Sequence, residues 1–284
     1  MAIDDRVGRS GSGVRRDLRD ALGALATTRR LLVALDFDGT LAPVVDDPEK
    51  ARATPEARRA VERLIAIPDT RVALVSGRSL RDLEQVAPFG DRVLLVGSHG
   101  IELRLDPPPG AEEHGPADVL ALDKGERQQL EVLEQVLDQL AGALDSVWIE
   151  PKPAGFALHT RLASERHSRV AHLVAINELK VEAPDATVRL GKDVIEFSVR
   201  STTKGEAVEH LRRSTRATAV LYAGDDVTDE DAFVALSADD LGLKSGDGPT
   251  AADHRVDGPA AVAAALGLLA TLREAHAESV PGTN

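Results

Sequence analysis

Residues 31–41, LLVALDFDGTL, constrain this chain more than any other stretch. Five apolar residues at strand length, without polar alternation, fit a strand buried on both faces of a parallel sheet. Two carboxylates follow at once. Asp36 and Asp38 share parity, so in extended geometry both side chains leave on one side. Gly39 then permits a sharp turn. Ligands of open α/β sheets collect beyond the carboxyl ends of the strands, and acids paired there repel unless a metal or substrate compensates. An isolated D-x-D is commonly a solvated strand end; five apolar residues followed by D-x-D-G-T are far more specific.

The chain continues in the same style. Thr54 and Pro55 open a helix with Ala57, Val61, Leu64 and Ile65 at helical spacing. Residues 71–75 form a second strand ending in Ser76-Gly77-Arg78, with a helix over 79–87. Residues 92–96 form a third, running into Gly97-Ser98-His99-Gly100 and a further apolar stretch at 101–105. The order β-α-β-α-β implies a parallel sheet with helices on both faces. Composition then changes: Pro107, Pro108, Pro109, Gly110, Gly115 and Pro116 within 106–118 mark a linker and a domain boundary. Beyond it the pattern predicts a helix over 119–144, strands at 147–150 and 156–162, a helix over 164–182, and strands at 187–190 and 194–199. This αββαββ order gives a four-stranded antiparallel sheet backed by two helices.

The main sheet resumes after Arg200. Lys204 opens a helix that runs to about residue 213, a position where a bound anion explains a cation better than helix stability does. Residues 219–223 form a strand that ends in GDDVTDED, with Asp225, Asp226 and Asp229 among its acids. A divalent cation with hard oxygen ligands would relieve their repulsion, and the later acids also suit a first helical turn. The formal charge of −13 argues against nucleic acid or an anionic membrane as the main partner. An anionic substrate then needs a local basic pocket and a cation. The absence of Cys excludes disulfides, thiolate zinc sites and cysteine nucleophiles. No signal-peptide core is visible, and the Ala/Leu-rich segment 260–272 is too short to span a bilayer, so a soluble, cytoplasmic protein is expected.

Four segments resemble, in order, the motifs of the haloacid dehalogenase (HAD) superfamily: Asp36 with Asp38, Ser76, Lys204, and Asp225 with Asp226 or Asp229. Over residues 31 to about 272 the chain is similar to the trehalose-6-phosphate phosphatase family. DFDGTLAPVVDDPEKA, GSHG and GDDVTDEDAF carry that resemblance, with Glu150-Pro151-Lys152, Leu158-His159-Thr160-Arg161 and GKDVIE at 191–196. It departs at Thr203, usually Asp, and at Thr160, often Tyr.

The resemblance implies a Rossmann-like parallel-sheet HAD core, residues 1–105 and 200–284 with 1–20 flexible, and an inserted α+β cap of type C2 over 106–199 that recognises the sugar. It implies Mg²⁺-dependent hydrolysis of trehalose 6-phosphate through an aspartyl phosphate. Asp36 is then the nucleophile, Asp38 the general acid and base, and Ser76 and Lys204 the phosphate ligands. Gly77, Arg78, His99, Glu150, Lys152, Arg161, Lys192 and Glu196 would bind substrate, and Asp36, Asp38, Asp225, Asp226 and Asp229 would hold or support the metal. A functional link to a trehalose-6-phosphate synthase is left open. Two other readings stand beside it: a related capped phosphatase for sucrose phosphate or a glycosyl-glycerate phosphate, and a non-catalytic module regulating a synthase.

Overall fold

The computed structural model describes residues 14–105, 118–119 (backbone), 122–191 and 193–279. In chain order they form α1 (Arg16–Ala26), β1 (Leu31–Leu35), α2 (Pro55–Ala66), β2 (Thr70–Val75), α3 (Leu80–Val86), β3 (Val93–Gly97), β4 (Glu102–Arg104) and β5 (Asp118–Val119). Next come α4 (Lys124–Ala143), β6 (Trp148–Lys152), β7 (Gly155–His159), α5 (Glu165–Glu182), β8 (Thr187–Gly191) and β9 (Val194–Ser198). The chain closes with α6 (Lys204–Thr215), β10 (Ala219–Gly224), α7 (Glu230–Val234), β11 (Leu241–Ser245), β12 (His254–Val256) and α8 (Gly258–Ser279). They fall into two compact units, Met1–Val72 with Arg212–Asn284, and Ala73–Leu211.

In the first unit β12, β11, β10 and β1 pair side by side, all parallel. Every residue of β1, β10 and β11 is buried, as a strand covered on both faces requires. Helix α8 packs against α1 and α2. The Thr54 hydroxyl accepts the Ala57 N–H at 3.1 Å and Pro55 takes the first helical position, so α2 starts where its chemistry places it. Arg273 of α8 is buried and acts as a staple. Its guanidinium donates to Thr70 Oγ1 at 2.6 Å and to the carbonyls of Ala26, Thr28 and Asp69 at 3.2, 2.9 and 2.8 Å.

In the second unit β3, β4 and β5 run antiparallel in that order. A separate antiparallel sheet follows, in the order β6-β7-β9-β8. One face of it is apolar: Phe156, Leu158, Ile195 and Phe197 pack with Leu133 and Leu137 of α4 and Ala171, Ala175 and Leu179 of α5. Arg200, just past β9, is bound to Glu126 in the first turn of α4, at 2.8 Å from Nε. The α4-β6-β7-α5-β8-β9 order is the one expected.

Residues 101–105, for which the sequence implied no strand direction, return as β4 antiparallel to β3 across the tight connection Ser98–Ile101. Three features differ from the sequence expectation. Helix α4 begins at Lys124 instead of 119, because Asp123 and Glu126 cap its first turn reciprocally. The strands β11 and β12 were not anticipated. From Arg16 the chain is helical where flexibility was expected, since Leu18, Leu22 and Leu25 bury one face of α1. The Pro-rich run at 106–117, and residues 1–13, lie outside the described residues. Among the described residues no helix is long and apolar enough to cross a membrane.

Replacing Arg273 by Leu leaves buried acceptors without their donor, each worth about 1–3 kcal/mol. The variant is expected to lose roughly 3 kcal/mol or more, read as a fall in Tm by differential scanning calorimetry. An unchanged Tm would refute the staple.

Candidate active site

Parallel pairing sets the ends of β1 and β10 side by side: Leu35 lies opposite Ala223, and the Asp36 N–H donates to the Ala223 carbonyl at 2.9 Å. The residues that follow each strand therefore emerge at one edge of the sheet. Carboxylate oxygens of Asp36, Asp225 and Asp229 lie within 4.8 Å of one another. The packing there admits no side chain at residue 39, where a Cβ would stand 1.9 Å from Asp225 Oδ2 and φ is +76°. The Gly39 N–H donates to the Ala42 carbonyl and its own carbonyl accepts the Ser245 hydroxyl, both at 2.7 Å. Asp38, beside it, is partly buried.

Donors hold this cluster together. Asp229 is fully buried; its Oδ1 accepts the Tyr222 hydroxyl at 2.6 Å and its Oδ2 the Asp226 N–H at 2.8 Å. Burial, and then the negative charges of Asp229 and Asp36, push the Tyr222 hydroxyl well above the ordinary phenol range, so it remains a donor. Lys244, buried in β11, donates to the Asp226 carbonyl and to Glu230 Oε1, both at 3.2 Å. Neither residue was expected from sequence. Lys244 did leave a signal, a cation interrupting the apolar stretch LGLKS, since a Lys within a buried strand requires partners. Asp226 is exposed, so of the two late acids it is Asp229 that joins the cluster. An all-oxygen set of largely buried carboxylates suits a hard divalent cation.

The second unit holds the other expected residues. Ser76 is buried at the end of β2, and its Oγ accepts the Arg78 N–H at 3.2 Å. The GSHG turn is bonded onto this loop: the His99 N–H donates to the Ser76 carbonyl at 3.0 Å and the Ser98 N–H to the Arg78 carbonyl at 2.7 Å. Three successive residues of the turn, Ser98, His99 and Gly100, are left-handed, with φ of 49°, 55° and 109°. Glu102 braces it, accepting the Ser98 hydroxyl at 2.6 Å and the Leu80 N–H at 3.1 Å. The His99 ring lies so close to Gly77 that a Cβ there would be 2.6 Å from Nε2. Lys204 is buried at the first position of α6. Thr203, the departure from the family pattern, caps that helix, exchanging bonds with Glu206 at 3.2 Å in both directions.

The polar face of the β6-β7-β9-β8 sheet carries the remainder. Register places Glu150, Ala157, Glu196 and Arg189 in one row across the four strands. Lys152 donates to Glu150 Oε1 at 2.5 Å, and the His159 ring bonds Glu150 Oε2 at 2.9 Å while stacking on Trp148 with centroids 4.9 Å apart. Gly77, His99, Lys152, Arg189 and Glu196 line one cavity of about 30 Å³. Arg161 is exposed beyond β7, and Thr160 is buried, bonded to Ser168 and to the Asp193 carbonyl. Lys192 lies outside the described residues. Arg189 was not singled out from sequence, although its parity with Glu196 follows from the hairpin.

The family model described as trehalose-phosphatase matches residues 34–255. The trehalose-phosphate phosphatase of Mycobacterium ulcerans (strain Agy99) is 34% identical over 288 residues, 95% of this chain and 70% of that protein. Among solved structures, the C-terminal domain of the C. albicans trehalose-6-phosphate phosphatase superposes with a TM-score of 0.70 at 24% identity, covering 92% of this chain and 98% of that one. The C-terminal domain of the Candida albicans trehalose synthase regulatory protein has a TM-score of 0.66 at 16% identity, covering 88% and 97%. That last likeness shows that this fold is shared with a regulatory protein.

Burial would raise the Glu150 carboxyl, but hydrogen bonds from Lys152 and His159 outweigh it and leave the group below the ordinary carboxylate range. A depressed folded-state pKa adds stability above the unfolded value of about 4.3 and loses it as pH falls through the folded value. The stability advantage of wild type over Glu150→Gln is therefore expected to shrink as pH drops below about 4. Urea unfolding across that range measures it, and a gap that does not vary with pH would contradict the pairing.

Proposed function

Because the chain belongs to the trehalose-phosphatase family, we propose that this phosphatase hydrolyses trehalose 6-phosphate with Mg²⁺ through a phosphoryl group carried on Asp36. The observation that carries the reading is the Asp36–Asp225–Asp229 cluster, three carboxylates within 4.8 Å at the ends of paired parallel strands. Each site residue keeps the role its matching motif implies.

In the first step an Asp36 oxygen attacks phosphorus, the bond from phosphorus to the sugar oxygen breaks, and Asp38 gives its proton to that oxygen. In the second, the Asp38 carboxylate takes a proton from water, whose oxygen attacks phosphorus and releases Asp36 and inorganic phosphate. Ser76 and Lys204 bind the phosphoryl oxygens. Asp36, Asp225 and Asp229 offer oxygens that would hold Mg²⁺, with the Asp38 carbonyl as the resemblance implies. When bound, the ion neutralises charge between carboxylate and phosphate, which lets an anion attack an anion.

Residues 106–199 act in this reading as the sugar-recognising module. Glu150, Lys152, Arg161, Lys192 and Glu196 read hydroxyl groups, which donate and accept and so suit mixed acids and lysines. Gly77, Arg78 and His99 complete the substrate contacts. Glu196 lines the cavity beside Lys152 and Arg189, and among the described residues its carboxylate makes no hydrogen bond or ion pair. The assembled acid cluster weighs against a purely regulatory role. The reading places the protein in the cytoplasm, where a synthase forming the phosphate ester would supply its substrate.

Phosphate release from trehalose 6-phosphate, set against sucrose phosphate and glycosyl-glycerate phosphates with and without Mg²⁺, tests the proposal. Preference for the trehalose ester and loss with chelator are expected; a flat substrate profile would refute it. Asp36→Asn should abolish turnover, while Asp38→Asn should cost about 10²–10⁴-fold with the sugar ester and less with p-nitrophenyl phosphate, whose leaving group needs little protonation. Glu196→Ala should lower kcat/KM for trehalose 6-phosphate by about 10-fold or more and spare p-nitrophenyl phosphate. Parallel losses on both substrates would remove Glu196 from sugar recognition.

A further inference from the structure

Arg189 closes the polar row of the β6-β7-β9-β8 sheet, directly opposite Glu196 in register. It lines the cavity that Gly77, His99, Lys152 and Glu196 also line. Its guanidinium nevertheless makes no ion pair with Glu196 among the described residues. Instead Nη2 donates to the backbone carbonyl of Thr202 at 2.7 Å, well outside the sheet.

Thr202 stands two residues before Lys204. Among the described residues its buried hydroxyl makes no hydrogen bond, so hydrogen bonding by the side chain does not fix this segment. Thr203 is locked to α6 by its exchange with Glu206, and through it the Thr202 carbonyl is rigidly connected to the start of the helix. On its other side the segment rests on Gly100, where a Cβ would stand 3.4 Å from the Thr203 carbonyl oxygen and 3.5 Å from Thr202 Cβ. The opening of α6 is thus held between the strained GSHG turn and the Arg189 guanidinium. Lys204 is the first residue of that helix and is buried.

We propose that Arg189 is a positioning residue: by holding the Thr202 carbonyl it sets Lys204 for the phosphoryl group, and so joins the sugar-reading face to phosphate binding. This rests on the reading of Lys204 as a phosphate ligand. It separates Arg189 from its neighbour Glu196. Glu196 serves only substrates with a sugar, whereas Arg189 serves every phosphate monoester, because Lys204 is needed for all of them.

The test compares Arg189→Met, which keeps the aliphatic stem and removes the donor, with Arg189→Lys, which restores one. Steady-state kinetics are measured on trehalose 6-phosphate and on p-nitrophenyl phosphate, with Tm recorded for each variant. The expected result is a fall in kcat of about 10-fold on both substrates for Arg189→Met, the order expected for one charge-assisted bond, with most of it regained in Arg189→Lys and Tm unchanged. A loss confined to trehalose 6-phosphate would make Arg189 a sugar reader and overturn the proposal. So would unchanged kinetics, or a kcat loss matched by a fall in Tm that Lys does not restore. Should wild type cleave p-nitrophenyl phosphate but not trehalose 6-phosphate, the disaccharide reading fails, and the p-nitrophenyl phosphate arm still decides the role of Arg189.

Discussion

Repulsion among carboxylates gathered at two strand ends is the constraint that the first unit answers. With oxygens within 4.8 Å, each pair of unit charges among Asp36, Asp225 and Asp229 opposes folding by roughly 3 kcal/mol or more at an effective dielectric of about 20. Such a cluster persists only on a frame stiff enough to hold it. The frame is the set of buried parallel strands, whose pairing through Leu35 and Ala223 fixes the two chain ends before any acid is added. Tyr222 and Lys244 then distribute the charge. One gives a neutral donor to Asp229, the other a buried cation to the backbone and to Glu230 beside it. The residual excess of negative charge is what would attract a cation to the cluster, and a frame that neutralised it fully would have no use for one.

The second unit solves a different problem, that of presenting backbone and small side chains without freedom to move. Three left-handed residues in succession cost energy that an ordinary turn avoids, and non-glycine residues at Ser98 and His99 make the cost larger. Glu102 offsets part of it by holding Ser98 and the start of α3 with a single carboxylate oxygen. The gain is a loop whose amides clamp Ser76 and Arg78 from one side and whose His99 ring fills the space beside Gly77.

Much of this was legible in the sequence, and the reasons differ by element. The strand before Asp36 could be read because burial on both faces leaves an unbroken apolar run, and α2 because Thr54 and Pro55 state where it begins. The αββαββ module could be read because its helices and strands alternate with different periods. By contrast β11 was hidden by Gly242 and Lys244, which break an apolar run in a strand that is nonetheless wholly buried. The true start of α4 was available in Asp123 and Glu126 but was outweighed by apolar residues just upstream. At the site, the acids were visible as a pattern while their separation into Asp229 inside and Asp226 outside was not, because a single turn of helix decides it. Arg189 escaped notice because its partner is a backbone carbonyl, which leaves no mark in a sequence.

The β6-β7-β9-β8 sheet has its two faces assigned to different tasks, with Phe156, Leu158, Ile195 and Phe197 toward the helices and Glu150, Lys152, Glu196 and Arg189 away from them. Because neighbouring residues of a strand point to opposite faces, the apolar packing and the proposed sugar selectivity are written on alternate letters of the same short text. Divergence can rewrite one set while the other is held constant. On the proposed reading of the polar face as the sugar reader, a lineage can drift toward a new sugar by single substitutions at every second position without passing through an unfolded intermediate. Insertion or deletion of one residue in these strands is the change it cannot absorb, since that would exchange the two alphabets at once.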